Sequence, residues 1–149
     1  MAASLESNFE LLQAAAIDGR TSNVRYRQNE LHSLHAVLRS NADAICTAIK
    51  KDSQNRVSDS ISELEYYLAM DAITHFYEGL DFDKALVTEY LISTGADNPN
   101  RRVGKGIVVI RPTAHTRFYS IICPLAAAIA AGNCVCLEVR IPEATSCQI

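Results

Sequence analysis

The residue pattern predicts an α/β protein, with helices packed on a small parallel sheet built from one βαβ unit and room for one further edge strand. Three observations predict it. The N-terminal half carries apolar residues at helical spacing through two long stretches. Gly106 to Ile110, GIVVI, is a continuous β-branched run, the pattern of a strand buried on both faces. A second such run, CVCLEV from Cys134, follows an alanine-rich stretch that reads as a helix, and strand, helix, strand demands parallel strands joined by a crossover.

Size and composition agree with this. At 149 residues, 48% hydrophobic and 21% charged, the chain is long enough for one domain with its own core and is ordinary for a globular rather than a disordered protein. The net charge of -3, with basic residues scattered apart from Arg101-Arg102, gives no electrostatic reason to expect nucleic acid as a partner. The start, MAASLESNFELLQAAAIDGR, is acidic and lacks the basic region and apolar run of a secretory signal. The least polar stretch, Ser120 to Val139, is interrupted by Gly132-Asn133, which suits a buried helix and strand better than a membrane span. A cytoplasmic protein with no membrane partner is expected, residues 1–20 forming an N-terminal segment and 21–149 a single domain.

The elements follow in order. Thr21 to Asn23 supply capping side chains ahead of VRYRQNELHSLHAVLRSNADAICTAIKKD. Leu31, Leu34, His35 and Leu38 fall at i, i+3, i+4 and i+7, and Ala42, Ile45 and Ile49 continue the stripe. Asn41 and Asp43 leave one bent helix or two open. After the polar DSQNRVSDS, the spacing of Ile61, Leu64, Leu68, Ile73, Phe76 and Leu80 predicts a second long helix, with Tyr66 and Tyr67 widening its apolar face. VTEYLIST, Val87 to Thr94, leans toward β structure and is expected as an edge strand or hairpin arm before the loop GADNPN. Arg111-Pro112 ends the first buried strand, because proline cannot donate to a ladder. The loop TAHTRFYS then leads to a helix with Pro124 in its first turn, and Gly132-Asn133 is the signal that ends it.

The five cysteines, Cys46, Cys123, Cys134, Cys136 and Cys147, are odd in number and lack framework spacing, so reduced thiols are expected, with Cys46, Cys134 and Cys136 in apolar runs. Strand alternation puts Cys134 and Cys136 on one face, and with His115 they raise a metal site. No fourth ligand is evident, core packing is the simpler account, and no metal is expected.

GIVVIRP, followed after a loop by CPLAAAIAAGNCVCLE, is similar to a stretch of the aldehyde dehydrogenase superfamily. There a strand ends in Pro-Trp-Asn, a helix carries Pro-Leu-x-x-Ala-Leu-Ala-Ala-Gly-Asn, and the next strand ends in Lys-Pro. Arg27-Gln-Asn-Glu-Leu and the later Ala-Ile-Lys-Lys-Asp look like the family's N-terminal helices, so the resemblance spans residues 20 to 139. The loop wording resembles fungal members, which implies a place in secondary metabolism. The fold implied is the first part of a Rossmann-like NAD(P)-binding domain, an incomplete parallel sheet with helices packed on it. The activity implied is NAD(P)-dependent oxidation of a small-molecule aldehyde to a carboxylic acid. A cysteine thiolate attacks the carbonyl, hydride passes to NAD or NADP, and water activated by a glutamate releases the acid. The resemblance also implies that this nucleophile, this base and the cofactor-binding glycine turn belong downstream of Ile149, so the chain is expected to be a truncated member. No G-x-G-x-x-G occurs in it.

Two positions depart from the family pattern. Thr113-Ala114-His115 follows Pro112 where the family has the asparagine that donates to the developing oxyanion, and His115 is the candidate replacement donor. Glu138 stands where the family's lysine contacts the cofactor ribose, with the opposite charge and no donor when ionised. By position alone, Ile110, Pro112 and Glu138 are the cofactor-binding candidates. Cys123, read as preceding a helix N-terminus that would lower its pKa, is a candidate nucleophile with His115 or Arg117 near it. The plainer readings are a small buried residue for Cys123 and a loop side chain lying over apolar surface for Arg117. His32, His35 and His75 fall on helices, His35 within the packed stripe.

Three functions are open at this stage. One is an aldehyde dehydrogenase by descent. A second is a non-catalytic remnant acting as a homo- or hetero-oligomeric binding partner, through surfaces that a longer relative would cover. A third is a different enzyme built on the loop from Thr113 to Cys123. Two strands are few for an independent sheet, so oligomerisation or marginal stability is expected.

Overall fold

Side-chain caps start three of the six α-helices that the structure describes. The computed structural model describes residues 2–96 and 103–138. The Arg101-Arg102 pair, the end of the GADNPN loop and the tail RIPEATSCQI with Cys147 lie outside the described residues. Helix α1 (Ala2–Asp18) ends at Gly19 and is followed by a 3-10 turn, Arg20–Ser22. The N-terminal segment is therefore a helix, and it lies against both strands of the sheet. Asn23 accepts the N–H groups of Arg25 and Tyr26 on its side chain and so starts α2 (Val24–Ser40). Asn41, at φ -116° and ψ 21°, separates α2 from α3 (Ala42–Asp52) and settles the first stretch as two helices. Ser58 accepts the Ile61 N–H and opens α4 (Asp59–Glu78).

The expected edge strand over VTEYLIST is instead part of α5 (Phe82–Ser93). Asp81 accepts the Lys84 N–H at 3.0 Å, giving that segment a capped helical start that outweighs the weak β leaning of its valine and threonine. Helix α5 rests on α2, where the Arg25 guanidinium lies 4.3 Å from the centre of the Phe82 ring. Its Leu86, Val87, Tyr90 and Leu91 are exposed.

The two predicted strands are present as β1 (Ile107–Ile110) and β2 (Cys134–Leu137), but they are not buried on both faces as expected. Val109 is 60% and Leu137 43% exposed, and only Ile110 and Cys134 are buried, because each strand is an edge with a neighbouring strand on one side only among the described residues. They pair in parallel from Ile107 with Cys134 to Ile110 with Leu137, and α6 (Arg117–Ala130) makes the crossover. No third strand occurs among the described residues, so the α/β class rests on this two-stranded sheet.

The core lies between α2, α3, α4 and α6, around Leu31, Ile49, Tyr66, Ala69, Met70, Ile73, Ile122 and Ala126. Burial of side chains such as Leu31 and Ile73 contributes about 1.5–3 kcal/mol each. Ser62, Ala69 and Ala126 are small and fully enclosed, which lets α4 and α6 approach closely, and Phe118 stacks on Tyr66 at 6.3 Å between ring centres.

Three expectations need correction. The predicted stripe of α4 is buried only in part: Tyr66 and Ile73 are in the core and Phe76 and Leu80 pack against it, but the first half of the helix buries Ser62, Glu65, Tyr66 and Ala69 in place of the predicted leucines. Ile61, Leu64, Leu68 and Tyr67 of the predicted stripe are about half to two-thirds exposed, at 52%, 56%, 49% and 66%. Size decides which side faces α6: the smaller residues admit it, and the leucines would hold it away. His35 is half-buried rather than in the core. Pro124 is inside α6, not in its first turn, because the helix begins two turns earlier at Arg117.

Candidate functional site

Ligands of parallel α/β sheets bind beyond the carboxyl ends of the strands. Here that region comprises Arg111 to Thr116, the first turn of α6 and Glu138. Ile110, at the end of β1, is 5% exposed, and Pro112 behind it is half-buried. The ladder runs one step further than β2 itself, since the Glu138 N–H donates to the Ile110 carbonyl at 2.9 Å. The Arg111 guanidinium donates twice to one carboxylate oxygen of Glu138, from Nε at 2.9 Å and Nη2 at 2.8 Å. A charged clasp therefore spans the two strand ends.

The loop that follows is folded back on the helix. The Thr113 N–H donates to the Ser120 hydroxyl at 3.1 Å, and the Ser120 hydroxyl donates to the Arg117 carbonyl. The hydroxyls of Thr113 and Thr116 both donate to the His115 carbonyl, and the His115 residue is exposed. Thr116 adopts the left-handed conformation (φ 45°) and its side chain caps nothing, so α6 starts without a cap of its own. Glu65 of α4 supplies one. Its buried carboxylate accepts the Tyr119 N–H at 3.1 Å, an acceptor and a negative charge placed at the positive end of the helix. Arg117, expected in a loop, sits in the first turn and pairs with Asp52 of α3 at 2.9 Å.

Cys123 is in the interior of α6 and not, as expected, just ahead of its N-terminus, because the helix begins at Arg117. Its neighbour one turn back is Tyr119, whose phenol is pushed above its ordinary value by hydrogen bonding to the Cys123 thiol and by the charge of that group. No hydrogen bond joins Cys123 to His115 among the described residues, so the candidate nucleophile and the candidate donor are not brought together as a pair. Cys134 is buried and Cys136 half-buried on one face of β2, both as free thiols. Cys46 is half-buried, and burial followed by the charges of Glu63 and Asp43 pushes its thiol up. Among the described residues no group of three or more His, Cys, Asp and Glu is placed to hold a metal ion.

The other end of α6 is anchored by Arg27, which donates to the Ala130 carbonyl at 2.6 Å and to the Ser22 carbonyl at 3.1 Å. Partial burial pushes the pKa of this guanidinium down, and its Nε is enclosed without a partner. Glu65 and Arg27 were not among the predicted site residues. The signal for Glu65 was present: a carboxylate at the same helical angle as Ser62 and Ala69.

No family model matches the chain, and no match is found among curated proteins or solved structures. No helix among the described residues is long and apolar enough to cross a membrane.

The cofactor candidates can be tested on this geometry. Where the resemblance asks for a donor to a ribose hydroxyl, Glu138 presents a carboxylate that already accepts two bonds from Arg111. Ile110 is enclosed and offers no side-chain polar group. These residues do not fit NAD(P) in the way the resemblance implies.

Proposed function

We propose that this protein is an aldehyde dehydrogenase-like unit, with a Rossmann-like layer, that serves as a binding or assembly partner of another protein and does not itself oxidise aldehydes. The observation that carries the reading is the Arg111–Glu138 clasp across the strand ends, which engages the position a cofactor contact would need. The separation of Cys123 from His115 supports it from the side of the chemistry. The two-stranded sheet supports the assembly role, because its outer edges carry main-chain groups unpaired among the described residues and able to accept another strand.

The test is a purified preparation assayed for NADH and NADPH formation with a panel of aliphatic and aromatic aldehydes, together with a direct titration of each oxidised cofactor. The expected result is no turnover and no saturable cofactor binding. Turnover abolished by Cys123→Ala or His115→Ala would sink the proposal and restore the dehydrogenase reading.

A further inference from the structure

We draw no further inference here: the strongest candidate, the exposed apolar stripe of α4 through Ile61, Leu64, Tyr67 and Leu68, is an unpartnered helix face, and nothing in the structure shows what covers it.

Discussion

The two ends of α6 are held in opposite ways. Its C-terminal end is written in adjacent residues. The Gly132 N–H donates to the Ile129 carbonyl and the Asn133 N–H to the Ala128 carbonyl, both at 2.9 Å, with Gly132 at φ +80°, which is a Schellman termination. Asn133 then turns its side-chain oxygen to the N–H groups of Lys105 and Gly106 and fixes the approach to β1. Its N-terminal end has no local cap. Thr116 is left-handed and its hydroxyl is spent on the preceding carbonyl, so the first turn depends on Glu65 from a helix more than fifty residues earlier. The difference teaches that a helix end built from neighbouring residues can be read from sequence, whereas one completed across the fold cannot.

The largest expected effect breaks the local end through its closest packing. A Cβ at Gly104 would lie 2.0 Å from the Gly132 carbonyl oxygen, a backbone atom that cannot swing aside. Gly104→Ala is expected to destabilise the protein by about 3 kcal/mol, read as a lower midpoint in urea. If its midpoint matched wild type, the close approach of these two backbones would be wrong.

Next in size is the remote end. Glu65→Ala leaves the part-buried Tyr119 N–H without its acceptor and is expected to cost about 2 kcal/mol. Glu65→Gln keeps an acceptor and removes the charge, so its loss should be under about 1 kcal/mol. Equal losses for the two variants would show that charge, not the hydrogen bond, holds this end.

A smaller effect than Gly104→Ala and Glu65→Ala is expected at the left-handed residue. Gly132→Ala is expected to lose about 1–2 kcal/mol in thermal melts, the cost of placing a side chain at positive φ, with the Thr21 carbonyl 3.0 Å from the new Cβ adding to it. A change within a few tenths would mean that the helix can end one residue differently without harm.

Much of the fold was legible because its signals are local. The strand at Ile107–Ile110, the Gly132-Asn133 stop and the cap at Asn23 each act over a few residues and each is present, although the burial of that strand on both faces, which depends on distant elements, is not. The failures share a cause. The segment VTEYLIST offers both helical and extended character, and the capped start at Asp81, outside the segment itself, tips it to helix. Pro124 was read as a helix start because proline is welcome there, yet a tertiary cap lets α6 begin at Arg117 and carry the proline inside it. The candidate site was legible as a list of residues but not as a constellation. Sequence placed His115 and Cys123 eight positions apart, and only the early start of α6 showed that one lies in the exposed loop and the other within the helix beside Tyr119.

By itself the sequence determined the elements whose hydrogen bonds close among neighbours: caps at Asn23 and Ser58, a glycine at positive φ, and two apolar strands that pair only across an intervening helix. Tertiary structure alone decided which side of α4 is buried in its first half, where α6 begins, and that Glu138 meets Arg111. Each of those depends on side chains far apart in the chain meeting at one point, and a choice between two sides of a helix is made by the fit of small residues against a partner, which periodicity does not record.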